Sequence, residues 1–446
     1  MEIPAGFLEK MKESLGDEYG AFLDSLQKEE VKALRLNPLK GIHGLPENLE
    51  ASWSLQNVPW EENGYYYEIS EGFFPPGKHP LHDAGAYYIQ EPSAMFPVSL
   101  LSPRKNEKVL DLCAAPGGKS TQTAAFMENT GLLVANEIIR SRAEILSANI
   151  ERMGVRNAVV ANMEPHGIAA AFPAFFDRVL VDAPCSGEGM MRRGDAAREN
   201  WSTENVRMCA SRQEEILNEA AKCVRPGGKL VYSTCTFSKE EDEENVEKFL
   251  AGHPDFSIIK TEKLYPHKVR GEGHFAALFE RQGDAGNLMV YKCKKKSGCL
   301  PVPKQALGFL GSFLMQEAYE RIDPERIISF KDSLYLLPEG MPDIGGMKVL
   351  RPGLCLGCMK KDRFEPAHSL AMALLAEDAQ NVCNLPSDSP AAVSYLSGMT
   401  LSLSGEEAAS LNDGWCLVTI DGISAGLGKK TGPVIKNHYP KGLRRV

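Results

Sequence analysis

Between residues 100 and 295, short apolar runs alternate with longer stretches whose apolar positions recur every three or four residues. Residues 109–112, 132–135, 157–161, 178–181 and 230–233 are the short runs, rich in Val, Leu and Ala and lacking the strict in–out alternation of a half-exposed strand. Runs of that length and character predict strands buried on both faces. Residues 142–153 and 204–224 have the helical period. Strand and helix in strict alternation predict a parallel sheet covered on both sides, an α/β fold. Arg225-Pro-Gly-Gly228 predicts a sharp turn into the fifth strand, and 256–260 with 287–292 predict two closing antiparallel strands.

The flanks have a different rhythm. Residues 7–15 predict a helix, and 31–36 alternate as a strand that stops at Asn37-Pro38. The aromatic Tyr65-Tyr-Tyr67 and a loop over 72–80 follow, so 1–100 forms a small mixed α/β unit. Residues 292–298 form a lysine-rich linker, and beyond it short strands are expected at 308–314, 333–337 and 415–420. The expected units are 1–100, 101–295, 296–380 and a β-rich 381–446, with no internal repeat.

Composition narrows this picture. With 446 residues, 43% hydrophobic and 24% charged, the chain reads as soluble, globular and multi-domain. No apolar run nears the ~20 residues that span a bilayer. The first residues lack the basic-then-apolar pattern of a secretory signal. Eleven cysteines without regular spacing argue for a reducing cytoplasm rather than a disulfide framework. A net charge of −9 argues mildly against a nucleic-acid partner. The tail argues back: 422–446 carries Lys429, Lys430, Lys436, Lys441, Arg444 and Arg445 with no acid, and local patches outweigh totals.

Chemistry gathers where three of the strands end. The first runs into Cys113-Ala114-Ala115-Pro116-Gly117-Gly118-Lys119, a turn through which backbone can approach a ligand closely before a helix begins. The second ends at Asn136-Glu137, a carboxylate where nucleoside cofactors place ribose hydroxyls. Neither a dinucleotide fingerprint nor a nucleotide triphosphate loop is present. S-adenosylmethionine, which has no phosphate, fits such a turn with acids beside it. Two further strands end in thiols: Cys185 in Asp182-Ala-Pro-Cys-Ser-Gly-Glu-Gly189, and Cys235 in Ser233-Thr-Cys-Thr236. Cys209, Cys223, Cys383 and Cys416 read as small buried hydrophobes. Cys355-Leu-Gly-Cys358 lacks a second pair and reads as a turn with two semi-buried thiols, so no metal is expected.

A methyl-transfer site has a use for a thiol. Cytosine C5 is too poor a nucleophile to take a methyl from a sulfonium, and a thiolate adding at C6 makes C5 enamine-like. Asp182 is placed to donate a proton or hydrogen bond at N3, and a base must then remove the C5 proton so that the thiol leaves. These residues resemble the RNA cytosine-5 methyltransferases of the Nop/Sun group, and within it the bacterial RsmF-like enzymes. The resemblance rests on 113–119, Asn136-Glu137, 182–189 and Thr234-Cys-Thr236, with Gln90-Glu-Pro-Ser-Ala94 and Lys436-Asn-His-Tyr-Pro-Lys-Gly442 outside the sheet.

The resemblance implies a Rossmann-like class I methyltransferase sheet, an RNA-recognition-like N-terminal domain and a PUA-like C-terminal module. It implies S-adenosylmethionine as cofactor, held by 113–119, Glu137, Asp182 and an acid after the third strand, aligned here as Glu164 with Asn162 as the fallback. Cys235 takes the place of the nucleophile and Cys185 that of the thiol assisting product release. RNA is the implied partner, 16S ribosomal RNA of the small subunit the implied substrate, and a monomer the expected state. A DNA cytosine-5 enzyme would use the Pro-Cys thiol as nucleophile; a tRNA substrate and a non-catalytic ribosome-assembly factor are the remaining alternatives. In the acidic stretch after Cys235, Ser238 with Glu241 reads as a capping box.

Overall fold

The computed structural model describes residues 3–42, 44–70, 72–193, 195–283 and 302–445. The expected strand at 287–292 and the linker at 292–298 lie outside the described residues. The central sheet has eight strands: β1 (Lys108–Asp111), β2 (Leu132–Asn136), β3 (Ala158–Ala161), β4 (Phe176–Asp182), β5 (Val224–Thr234), β6 (Phe256–Leu264), β7 (His274–Arg281) and β8 (Val349–Arg351). Their order is β6-β7-β5-β4-β1-β2-β3-β8. β1 to β5 are parallel to one another, whereas β7 is antiparallel to β5 and β6, and β8 antiparallel to β3. Chain order reverses at β1, which lies between β2 and β4, and that reversal opens a crevice at the carboxyl edge.

Both faces of the parallel strands are buried, which is why their sequences do not alternate. Leu110, Val134, Val159 and Val179 pack with Ile168 of α3 (Pro165–Ala171), Leu217 of α4 (Thr203–Cys223) and Phe249 of α5 (Glu243–Gly252). The adjacent Val109, Leu133 and Val160 face the other way, onto Ala124 of α1 (Gly118–Phe126) and Leu146 and Ile150 of α2 (Arg140–Arg152). Side chains such as Leu110, wholly buried, each contribute about 2 kcal/mol.

The structure departs from the sequence reading in several places. Arg225-Pro-Gly-Gly228 lies inside β5, where the pairing with β4 slips between Phe176 and Arg178. Pro226 cannot donate to a ladder, and the irregularity with Gly227 at φ 71° absorbs that gap without ending the strand. β7, unforeseen, inserts between β5 and β6. Residues expected as a strand at 308–314 form the helix Lys304–Phe313, because Ala306, Leu310 and Phe313 share one buried face despite Gly308 and Gly311. Cys355 and Cys358 are half-buried on a strand, Leu354–Lys360, rather than in a turn.

Three smaller sheets surround the central one. Gln56–Asn57, Gly64–Tyr66, Ala33–Leu36 and Tyr87–Ile89 form an antiparallel sheet near the N-terminus. A four-stranded sheet spans Ile327–Phe330 to Arg363–Pro366, and a five-stranded one carries Gly414–Ile420, Ile423–Thr431 and Val434–Asn437. The first and last share a core in which Leu34, Trp53 and Tyr87 join Tyr395, Val418 and Tyr439. β8 comes from the C-terminal half and edges the central sheet, where Arg351 pairs with Glu151 of α2 at 2.9 Å.

The basic tail is therefore folded rather than a solvated arm. Lys430 is buried and paired with Asp413 at 2.8 Å, while Lys429, Lys436 and Lys441 are exposed. Tyr439 is buried and His438 lies against Trp415, so neither ring stands free to stack on a base. A Cβ on Gly426 or Gly428 would meet Tyr395 Oη or Ile435 at 2.4 Å, so these glycines serve packing within the sheet.

Candidate active site

Four strand ends meet at the switch point. β1 delivers the 113–119 turn, whose backbone is braced from α2: Arg142 donates to Ala115 O at 3.0 Å and Asn149 Nδ2 to Pro116 O at 2.9 Å. Gly117, at φ 112°, opens α1. Arg35, from the N-terminal sheet and fully buried, donates to Gly118 O at 3.2 Å and Thr121 Oγ1 at 2.9 Å, and Gln90 Oε1 receives its Nε at 3.3 Å. The Gln90 motif singled out in the sequence thus supports the turn from outside the sheet.

β2 delivers Glu137. Its carboxylate is buried, accepts from Ile139 N–H at 2.9 Å and lies 3.6 Å from Arg142. Ile138 and Ile139 beside it are half exposed. After β3, Asn162 spends its amide on the carbonyls of Glu137 and Ile138 at 2.7 and 2.8 Å, bracing that loop. Glu164 is exposed at the start of α3 and makes no capping bond there.

β4 and β5 deliver the thiols. Cys185 Sγ and Cys235 Sγ are 3.2 Å apart, both half-buried. Gly189 N–H donates to Cys235 O at 2.9 Å, and Gly273 N–H to Gly189 O at 3.1 Å, so the two loops and the start of β7 cross at backbone distance. Asp182 accepts from Lys119 Nζ and Ser233 Oγ, each at 2.8 Å, and His274 Nε2 lies 3.8 Å away. Turn, acid and thiols therefore form one cluster, and Glu164 stands apart from it as an exposed side chain after β3.

The electrostatics differ from acid to acid. Burial would push Asp182 up, but the Lys119 charge, His274 and the bonds from Lys119 and Ser233 outweigh it and hold the carboxylate below its ordinary value. Burial likewise works against the Lys119 ammonium, and Asp182 more than restores it. Asp111, wholly buried beneath the turn, is pushed up to about 7, by burial first and then by Asp182 and Glu137, against a bond from Ser120. The hydrogen bond to Cys235, then burial, push the Cys185 thiol well above its ordinary value. Burial, with Lys119 nearby, drives His274 down to about 3, leaving a neutral ring whose Nε2 has no hydrogen-bond partner.

Sequence reasoning missed Asp111, His274, Arg35 and Glu241. An acid inside the apolar run of β1 was a visible signal for Asp111. Glu241 has the spacing of a cap, but its carboxylate points inward to Ser186 while α5 starts at Glu243. A separate cavity of about 260 Å³ opens at the opposite, amino edge of the sheet, lined by Asn157, Arg156, Arg321 and Leu354, and shares no residue with the thiol cluster.

The model of the 16S rRNA methyltransferase RsmB/F family matches residues 98–280. The N-terminal domain of 16S rRNA methyltransferase RsmF matches 3–92, its first C-terminal domain 310–374 and its PUA domain 383–445. Ribosomal RNA small subunit methyltransferase F of Vibrio vulnificus is 33% identical, over 99% of this chain and 98% of its own. The chain belongs to the RsmB/F family of 16S rRNA methyltransferases. The Escherichia coli relative of the same name is also 33% identical, over 99% and 96% of the two chains. Among solved structures, NSun6 from Pyrococcus horikoshii with SFG shares the fold at a TM-score of 0.55 and 21% identity, over 63% of this chain and 99% of that one. A methyltransferase homologue from the same organism does so at 0.53 and 24%, over 63% and 100%. The fold is thus a Rossmann-like methyltransferase sheet with a PUA domain, the activity methylation of RNA, and the expected cofactor S-adenosylmethionine. Among the described residues no helix is long and apolar enough to cross a membrane.

Proposed function

We propose that this family member methylates C5 of cytosine in 16S ribosomal RNA through a covalent bond between Cys235 Sγ and C6. The observation that carries the reading is the pair of sulfurs 3.2 Å apart beside the Lys119–Asp182 ion pair at 2.8 Å. An RNA methyltransferase acting on an exocyclic amine or a ribose hydroxyl needs no thiol, whereas C5 chemistry needs a nucleophile at C6 and a means of expelling it.

The residues suit S-adenosylmethionine. Asp111 Oδ1 is buried without a hydrogen-bond partner beneath the turn, Glu137 offers a carboxylate at the tip of β2, and the half-exposed Ile138 and Ile139 offer an apolar flank for a purine. Residues 113–119, Glu137 and Asp182 would hold the cofactor, which supplies an electrophilic methyl group.

Cys235 acts as thiolate and adds to C6. As it adds, N3 takes a proton held between Lys119 and Asp182, so the ring's negative charge is neutralised as it forms. C5, now enamine-like, becomes methylated. Loss of the C5 proton restores the C5–C6 double bond and expels the Cys235 sulfur, and N3 returns its proton to the Lys119–Asp182 pair. Cys185, kept as the thiol by its bond to Cys235 and by burial, donates its proton to that departing sulfur and is left able to take up the proton lost from C5. Units 1–100 and 381–446 are the RNA-holding parts of this reading.

Labelled cofactor with total RNA from a strain lacking the gene, and with duplex DNA, tests it. The wild-type chain should label small-subunit RNA only, and Cys235→Ala should lose transfer by at least 1000-fold while binding cofactor normally. Label in DNA, or wild-type turnover by Cys235→Ala, contradicts the reading.

A further inference from the structure

Glu241 has no role in the reaction set out above, yet its side chain lies at the junction of both thiol loops. It is wholly buried, and a buried carboxylate is costly unless donors surround it. They come from three elements. Ser186 N–H donates to Oε2 at 3.0 Å and Gln213 Nε2 of α4 to the same oxygen at 2.8 Å. Ser186 Oγ and Thr236 Oγ1, themselves 2.9 Å apart, donate to Oε1, the Thr236 bond measuring 3.4 Å. Ser186 follows Cys185 and Thr236 follows Cys235. Gln213 also donates to Pro184 O at 3.0 Å, on the other side of Cys185, and its Oε1 accepts from Tyr232 at 3.0 Å on β5. The next residue continues the grip: Asp242 accepts from Thr234 Oγ1 at 2.7 Å, just before Cys235.

We propose that Glu241 is a positioning residue: its carboxylate ties the residue after each active-site cysteine to one point, holding the two sulfurs against the same face of the substrate ring. This rests on the two-thiol reading above. The two oxygens face different chemistry. At Oε2 both partners, Ser186 N–H and Gln213 Nε2, can only donate, whereas at Oε1 the two hydroxyls can donate or accept. Glutamine can keep its carbonyl oxygen on those two donors and turn its amide N–H toward the hydroxyls, so it retains the tie, whereas methionine fills a similar volume and makes none of these bonds; the pair separates a positioning role from mere packing. Glu188 ties the same loops farther out, accepting from Phe237 N–H at 3.2 Å and Trp201 Nε1 at 2.9 Å, so loss of Glu241 should shift the sulfurs without unfolding the site.

The test is steady-state methylation of 16S ribosomal RNA from a deletion strain by the full chain, with cofactor affinity by calorimetry. Glu241→Met should lower kcat at least 100-fold and leave RNA KM and cofactor Kd within threefold, and Glu241→Gln should restore kcat to within tenfold of wild type. Thr236→Val, nearly isosteric but without the hydroxyl, should lose about tenfold in kcat, and Thr236→Ser should restore it to within twofold. Glu241→Met turning over within threefold of wild type overturns the proposal, as does a kcat loss matched by an equal loss of cofactor affinity. If Glu241→Met does not fold, the Thr236 pair decides: equal rates for Val and wild type overturn it. Cys235→Ala is run alongside. Wild-type turnover there overturns both readings, whereas a dead Cys235→Ala beside a normal Glu241→Met removes the positioning role alone.

Discussion

Asp111 and Asp182 show how neighbouring acids on one sheet edge acquire opposite characters. Asp111 is wholly buried and Asp182 only partly so; Asp182 has the Lys119 ammonium and the Ser233 hydroxyl bonded to it, whereas burial and two repelling carboxylates at Asp111 outweigh one serine bond and the more distant Lys119. Asp111 is an ordinary acid of about 3.8 raised to about 7. Between those values the folded chain keeps a proton that the unfolded chain has released, so this group's contribution to stability falls as pH rises through that window. At about 1.4 kcal/mol per pKa unit the effect is at most ~4 kcal/mol. Asp111→Asn, which cannot ionise, should gain stability relative to wild type as pH goes from 5 to 8. The difference in urea midpoint between the two proteins measures it, and a pH-independent difference contradicts the assignment. An acid inside an apolar run announces such a residue. Glu241 did not announce itself, because Ser-x-x-Glu before a helix has a sufficient local explanation and its true partner, Ser186, is 55 positions away.

At the scale of elements, the site exists because two loops and the start of β7 approach at backbone distance. A Cβ on Gly273 would lie 2.2 Å from the Phe237 ring and 2.6 Å from Gly189 Cα. Gly273→Ala should therefore push the Cys235 loop away from the Cys185 loop, lowering methyl transfer at least 100-fold and the thermal midpoint by several degrees, about 1–3 kcal/mol for overpacking. Transfer by the variant at the wild-type rate contradicts that account of the crossing. The parallel strands were legible because burial on both faces leaves an unbroken apolar run. Three other elements escaped that reading. The helix at Lys304–Phe313 is interrupted by two glycines that lower its intrinsic propensity, and packing of Leu310 and Phe313 overrides them. β7 pairs with its sequence neighbour β6 as well as with β5, and its apolar run over 275–279 was a visible signal left unused; β8 is placed by a partner distant in sequence, which no local pattern encodes. The residues of the turn and the two thiols were legible for the opposite reason: each motif is short, local and follows a strand.

On the scale of the whole molecule, an acidic chain of net charge −9 must present positive surface where RNA lies. Lys429 and Lys436 are partners across adjacent strands, both exposed, and Lys441 follows nearby in the chain. Changing these three to Gln should weaken RNA binding and reduce the salt slope by about 0.7–0.9 for each phosphate that is no longer neutralised, with cofactor affinity unchanged. Lys430→Gln should behave differently, lowering stability with little effect on that slope, because its charge is committed to Asp413. Filter binding across a salt series separates the two; identical slopes for the triple variant and wild type would place the RNA elsewhere. The central claim is a covalent protein–RNA intermediate resolved with the help of a second thiol, and the Cys185→Ala protein incubated with cofactor and 16S ribosomal RNA tests it most directly. A denaturing gel should show a slow-migrating protein–RNA species that disappears in the Cys185/Cys235 double alanine variant. Free Cys185→Ala protein with full activity and no such species would contradict the account.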